Sequence, residues 1–130
     1  MIVVDTSALL AIVLDEPGAE SCIQILEAAD ELLLSAGTLA ETLIVAARRN
    51  VLAEISQIVG GIGFEVAPVT PAEAGLVARA YGRWGKGNHP AGLNFGDCFA
   101  YVLAKERFCP LLYVGADFSK TDIDTAIRTA

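Results

Sequence analysis

The chain alternates short apolar runs with helix-patterned stretches almost from end to end, and this alternation limits the possible folds more than any single residue does. Ile2-Val3-Val4 is β-branched, fully apolar and stops at Asp5, as a central strand buried on both faces would. Thr6 and Ser7 then stand as N-cap candidates for an apolar helix over Ala8 to Leu14. Asp15-Glu16-Pro17-Gly18 reads as a turn and a fresh helix start, with helical spacing on Cys22, Ile25, Leu26 and Ala29 up to Asp30. Leu32-Leu33-Leu34 reads as a second strand. Thr38 begins a third helix to Arg49, and the pattern continues from Val51 to Val59 until Gly60, Gly61 and Gly63 stop it. Glu65 to Val69 is a third strand, Thr70-Pro71 opens a helix to about Trp84, and Gly85 to Leu93 is a loop. Asn94 opens a helix to Arg107, and Leu111 to Val114 is a fourth strand. The segment after Phe118 is polar, weakly periodic and without an assigned structure.

The pattern implies an α/β domain with a central parallel sheet of four or five strands, right-handed crossovers and helices on both faces. No repeat, linker or low-complexity tract interrupts it, so residues 1–130 read as a single domain. Apolar residues make up 54% and charged residues 19%, against about 25% charged in an average domain. Disorder is excluded, and the apolar excess suggests surface for a partner or an oligomer. The net charge of −7 argues against non-specific coating of nucleic acid, which needs clustered Lys and Arg. Cys22, Cys98 and Cys109 form neither a disulfide framework nor a zinc spacing. The longest apolar run, Ala8 to Leu14, is far below the roughly 20 residues of a membrane span, and the start carries no basic signal-peptide region. A cytoplasmic protein with no membrane association is expected.

Sites in open α/β sheets lie beyond the carboxyl ends of the strands. Four acids fall there. Asp5 ends the first strand, Glu41 lies in the first turn of the helix after the second, Asp97 lies in the first turn of the helix before the fourth, and Asp117 lies three residues after Val114. Each has an ordinary explanation: Thr38-x-x-Glu41 fits a capping box, Asn94-x-x-Asp97 puts an acid behind a good N-cap, and Asp5 and Asp117 can begin turns. Yet Glu41 and Asp97 both point away from the expected packed stripes, Leu39/Leu43/Ala46 and Phe95/Phe99/Val102. Two carboxylates about 6 Å apart repel by roughly 3 kcal/mol at an effective dielectric of 20. If the four converge, either some protonate or a divalent cation sits among them. Oxygen-only ligands suit Mg²⁺ or Mn²⁺ rather than zinc, and such an ion supports phosphoester hydrolysis. An aspartyl-phosphate phosphatase would need a second Asp where Ser7 stands, and a receiver domain would need paired acids after the first strand and a late Lys.

With these acids placed, the chain resembles the PIN-domain ribonucleases, and within them the VapC-type toxins of bacterial toxin–antitoxin pairs. The resemblance covers nearly the whole chain and rests on five fragments in order: Val4-Asp5-Thr6-Ser7-Ala8, Ser35-Ala36-Gly37-Thr38-Leu39-Ala40-Glu41, Gly87-Asn88-His89-Pro90-Ala91, Leu93-Asn94-Phe95-Gly96-Asp97-Cys98-Phe99-Ala100-Tyr101, and Val114-Gly115-Ala116-Asp117-Phe118. It implies a three-layer PIN-like fold in which Asp5, Glu41, Asp97 and Asp117 are the catalytic, metal-binding quartet. Thr6 or Ser7 would match the hydroxyl beside the first acid, holding a metal water or orienting Asp5, and Asn94 the polar position before the third acid. Ala116 departs from the pattern, since relatives often carry Asn or Asp there. The implied activity is a Mg²⁺- or Mn²⁺-dependent endoribonuclease cutting single-stranded or loop RNA through attack of a metal-activated water. The implied partners are RNA and a cognate antitoxin, in a homodimer or a larger toxin–antitoxin assembly. The alternative is a catalytically silent PIN-like module that binds RNA or protein.

One basic, aromatic stretch fits on separate grounds. From Ala74 to Gly96 there is no acid, while Arg79, Arg83, Lys86 and His89 occur with Tyr81 and Trp84 among them. These residues are candidates for RNA contact, with Trp84 as a stacking face or else a core residue.

Overall fold

Successive side chains on a strand point to opposite faces, and Val3 and Val4 are both fully buried, so each face of their sheet must be covered. The computed structural model, which describes residues 1–126, shows how. Four strands, β1 (Ile2–Val4), β2 (Leu32–Ser35), β3 (Glu65–Ala67) and β4 (Leu111–Leu112), form one parallel sheet in the order β3-β2-β1-β4. Each crossover carries two helices: α1 (Thr6–Val13) and α2 (Ala19–Ala28), then α3 (Ala36–Arg48) and α4 (Leu52–Ile62), then α5 (Pro71–Trp84) and α6 (Phe95–Arg107).

The alternation of the strands divides the interior into two cores. Val3, Leu33 and Leu111 pack with Val77 and Ala80 of α5 and with Cys98, Tyr101 and Val102 of α6. Val4, Leu32, Leu34 and Leu112 pack with Leu9 of α1, Cys22 and Leu26 of α2, and Ile55 of α4. The result is the three-layer α/β arrangement that the alternation predicts. Past β4 the chain adds one parallel bridge, Thr125 to Leu111, and no fifth strand among the described residues. Among the described residues no helix is long and apolar enough to cross a membrane.

The first two crossovers step the chain outward from β1 to β2 to β3, and the third returns it to the other side of β1. The strand order therefore reverses between β1 and β4, the place where open α/β sheets form a ligand crevice. Asp5 sits at this reversal, its backbone N–H donating to the Leu112 carbonyl at 3.0 Å.

Several sequence expectations are corrected by capping. Asp5 is itself the N-cap of α1, in extended conformation (φ −93°, ψ 157°), so Thr6 and Ser7 lie inside the first turn. Ser35 caps α3 by accepting from Gly37 N–H at 3.2 Å, which starts the helix at Ala36 rather than Thr38. Glu41 consequently stands in the second turn and the Thr38-x-x-Glu41 capping box does not form. The helix α4 runs through Gly60 and Gly61 and stops only at Gly63, whose φ of +87° a side chain would strain. Strands β3 and β4 each end two residues earlier than expected.

Helices α3 and α6 meet closely near their N-terminal ends. A Cβ on Gly37 would lie 2.4 Å from the Phe99 ring, so the contact exists only because residue 37 has no side chain. We expect Gly37→Ala to lower the unfolding free energy by about 1–3 kcal/mol by forcing these helices apart, measured by denaturant titration.

Candidate active site

The N-termini of α1, α3 and α6 open onto one edge of the sheet, and three of the four acids are fixed there by local hydrogen bonds. Asp5 Oδ2 accepts from Ser7 N–H at 3.0 Å and from Ser7 Oγ–H at 2.7 Å. Ser7 Oγ in turn accepts from Val114 N–H at 3.0 Å, which ties the α1 turn to the exit of β4. Asp97 Oδ2 accepts from Asn94 N–H at 2.9 Å while Asn94 Oδ1 accepts from Asp97 N–H at 2.8 Å, completing the expected capping box. Glu41 Oε1 accepts from Thr6 Oγ–H at 2.7 Å.

Each acid is thus held by one oxygen. Among the described residues the second oxygen, Asp5 Oδ1, Asp97 Oδ1 or Glu41 Oε2, accepts no hydrogen bond. Asp5 Oδ1 is moreover buried and unpartnered, a state that normally costs a few kcal/mol. Glu41 lies directly over Gly96, where a Cβ would meet Oε2 at 1.8 Å. Gly96 is a site residue that the sequence reading did not single out.

Electrostatics shows that the four charges sense one another. Burial, followed by the charges of Asp97 and Glu41, pushes Asp5 up to about 7 against the lowering effect of Ser7. Burial, followed by the charges of Glu41 and Asp117, pushes Asp97 up to about 6 against the Asn94 N–H. Asp117 is the outermost member, exposed at the head of a 3₁₀ turn over Phe118–Lys120 and anchored there by the buried Phe118 ring. As placed, no three His, Cys, Asp or Glu side chains among the described residues are close enough together to grip one ion. Mutual repulsion acts in that direction.

The supporting hydroxyls divide their work differently from expectation. Ser7 orients Asp5, whereas Thr6 turns to Glu41 and to the buried Thr42, whose Oγ lies 2.9 Å away. The stripe of α3 that is fully buried is Thr38/Thr42/Ala46, with Leu39 and Leu43 only half-buried. A Thr pair at i, i+4 was the available signal, and hydrophobicity outranked it. On α6, Phe95 is not in the packed stripe. It is 67% exposed and meets Phe99 edge-on at 5.0 Å, because the first residue of the helix projects past the sheet edge.

The basic stretch divides as well. Trp84 is a core residue, 7% exposed, with its indole N–H donating to Tyr101 Oη at 2.9 Å, Arg83 over its ring at 4.4 Å and His89 edge-on at 4.7 Å. So buried, Trp84 takes the core alternative rather than that of a stacking face. Arg83 also reaches Asp122 at 3.9 Å, and Tyr101 Oη–H donates to the same Asp122 at 2.5 Å. His89 Nδ1 accepts from Ala91 N–H at 3.0 Å. Arg79 and Lys86 are exposed and form no ion pair among the described residues.

Comparisons with known proteins bear on the family and the fold. The PIN domain family matches residues 2–124. The chain is 42% identical over 129 residues to Ribonuclease VapC28 of Mycobacterium tuberculosis, covering 96% of this chain and 97% of that one. It is 41% identical over 126 residues to Ribonuclease VapC30 of the same species, covering 95% and 96%. Among solved structures it resembles Mycobacterium tuberculosis VapC20, described as a sarcin-ricin loop cleaving toxin, with a TM-score of 0.78 at 18% identity over 99% of this chain and 100% of that one. A toxin–antitoxin complex from Klebsiella pneumoniae matches with a TM-score of 0.69 at 15% identity, over 99% and 100%. At those identities the structural likeness speaks for the fold.

The raised acids give a signed prediction for the chelator-treated protein. A carboxyl whose folded pKa exceeds its unfolded value keeps its proton longer when folded, so it favours the folded state at low pH and that advantage is lost as pH rises. For Asp5 the window runs from about 4 to about 7, with up to about 4 kcal/mol lost across it. Thermal melts in EDTA should show stability falling over this range, and Asp5→Asn should flatten the profile.

Proposed function

The chain belongs to the PIN-domain family, and from that premise we propose that it is a divalent-metal-dependent endoribonuclease acting as the toxin of a toxin–antitoxin pair. The observation that carries the reading is Asp5 Oδ1, buried and unpartnered among the described residues, in a ring of acids whose charges help to raise Asp5 and Asp97. A silent binding module has no use for such a ring.

The donor set fits a hard cation, since it offers carboxylate oxygens and neither imidazole nor thiolate. Asp5, Glu41 and Asp97, with Asp117 at the rim, would hold Mg²⁺ or Mn²⁺. When bound, such an ion lowers the pKa of a water and stabilises charge on an attacked phosphate. The chain's own part is positional. Ser7, Thr6 and Asn94 each fix one oxygen of an acid and leave the other facing no protein donor among the described residues. The positive ends of α1 and α6 oppose the accumulated charge at Asp5 and Asp97.

Arg79, Arg83, Lys86 and His89 are proposed as contacts to the RNA backbone. They lie on α5 and the loop to Asn94, which leads straight into the α6 end that carries Asp97. A cognate antitoxin and a second copy of the chain are the protein partners of this reading. Exposed Ile44 and Phe95, which border an apolar groove of about 310 Å³ beside Glu41, supply apolar surface for such contacts. The three cysteines are free and buried, which suits the cytoplasm, where we place the protein.

Asp5→Asn and Asp97→Asn should each abolish cleavage of single-stranded RNA while the protein stays folded. EDTA should stop cleavage by the unmodified chain and Mn²⁺ should restore it, read by gel analysis of 5′-labelled RNA. Cleavage that persists in either variant, or in EDTA, defeats the metal-site assignment. Gly96→Ala should shift the flexible Glu41 side chain at little cost to stability, so its cleavage rate should fall while its melting temperature hardly changes.

A further inference from the structure

Two buried hydroxyls behind Glu41 have no part in the acid ring itself. Thr38, Thr42 and Thr6 are all at or below 6% exposure, and Thr42 is completely buried. Thr6 Oγ has three polar neighbours: Glu41 Oε1 at 2.7 Å, Thr42 Oγ at 2.9 Å and the Thr38 carbonyl at 3.4 Å. Thr42 Oγ lies 2.8 Å from the same Thr38 carbonyl. We propose that Thr42 is a positioning residue for Glu41, acting through the hydroxyl of Thr6.

Counting hydrogens gives the reason. A carboxylate only accepts and each threonine has one hydroxyl hydrogen, so Glu41 Oε1 is satisfied only if Thr6 directs its hydrogen there. The competing acceptors for that hydrogen are Thr42 Oγ and the Thr38 carbonyl. If Thr42 donates to Thr6 Oγ, it fills a lone pair on Thr6 and leaves the Thr6 hydrogen for Glu41. If Thr42 donates instead to the Thr38 carbonyl, its own Oγ competes with Glu41 Oε1 for the Thr6 hydrogen. The first arrangement is therefore the one in which both hydrogens serve Glu41, and it requires the Thr42 hydroxyl. Without that hydroxyl, Thr6 Oγ loses the neighbour that fills its lone pair, and its hydrogen is free to turn from Glu41 Oε1 toward the Thr38 carbonyl.

The choice of residue supports a role beyond packing. A threonine bonding back to the i−4 carbonyl does not stabilise a helix, and valine would fill the same shape without a polar atom to satisfy. A polar residue at 0% exposure, one position after Glu41, instead serves the geometry of that side chain.

The proposal rests on the metal-cup reading, and Mn²⁺ alone is the probe, measured on the full chain by calorimetry and by the electron paramagnetic resonance of unbound Mn²⁺. Thr42→Val should bind Mn²⁺ about ten- to a hundredfold more weakly, the usual effect of losing a partner behind a ligand. Its metal-free melting temperature should be unchanged or higher. Thr42→Ser should restore binding, and Thr42→Val should cause no further loss in a Glu41→Ala background. Unchanged binding in Thr42→Val, failure of serine to restore it, or a loss that persists without Glu41 overturns the proposal. If the valine variant does not fold, Thr42→Ala is judged by the same criteria. Failure of the unmodified chain to bind Mn²⁺ rejects the metal cup and this proposal together, whereas Mn²⁺ binding without RNA cleavage counts against the nuclease reading alone.

Discussion

Asp5 is 2% exposed and has no cationic partner among the described residues, at the seam between β1 and β4 where the strand order reverses. Burying an ionised carboxylate so thoroughly carries a penalty of several kcal/mol unless hydrogen bonds and charge offset it. Here the offset is incomplete. Ser7 holds one oxygen and, through Val114 N–H, joins the start of α1 to the end of β4, while the other oxygen has no partner among the described residues. The rest of the site follows from this seam. The strand-order reversal makes room beside Asp5, the parallel sheet brings the exits of β1, β2 and β4 to one edge, and that edge gathers the charges that raise Asp5 further.

A common device then recurs on three elements. Asp5 is fixed within α1, Glu41 is fixed from α1 through Thr6, and Asp97 is fixed within the capping box of α6, each by one carboxylate oxygen. The helices that supply these residues can approach closely because two glycines lie in their interface, Gly37 under Phe99 and Gly96 under Glu41. Exchanging either glycine has a different consequence. Gly37 faces the base of an aromatic ring that packs against the core, so a methyl group there disturbs the fold. Gly96 faces the far end of a flexible side chain, so a methyl group there disturbs the site. The same packing rule separates a stability residue from a functional one.

Much of this was legible in sequence because strand burial and capping leave local marks. The Ile2-Val3-Val4 run, the Asn94/Asp97 box and the Thr70-Pro71 helix start all formed as their residues predict. What was missed depends on contacts distant in sequence. Thr38 and Thr42 lie outside the expected Leu39/Leu43/Ala46 stripe, and only α1, packed across α3, turns that face inward and gives the Thr42 hydroxyl a partner 36 residues away. Trp84 sits in a basic stretch that suggests RNA, yet Tyr101, 17 residues on, supplies the acceptor that lets its indole be buried. Phe95 reads as core by spacing, but its helix begins beyond the edge of the sheet it would pack on.

The net charge of −7 is compatible with RNA cleavage only if charge is considered locally. Asp5, Glu41, Asp97 and Asp117 place four of the formal negative charges at one edge, and repulsion among them is the same force that would oppose an approaching phosphate. On the proposed reading, the affinity of this edge for divalent cations and its aversion to bare RNA therefore have one origin. Two such cations would bring the formal charge from −7 to about −3 and reverse the local balance at the edge itself. The nearby basic stretch, without an acid from Ala74 to Gly96, then adds to that attraction rather than having to overcome four carboxylates. Sequence-independent coating still lacks the basic surface it needs, so the chain's capacity to hold RNA is confined to the place where it would cut.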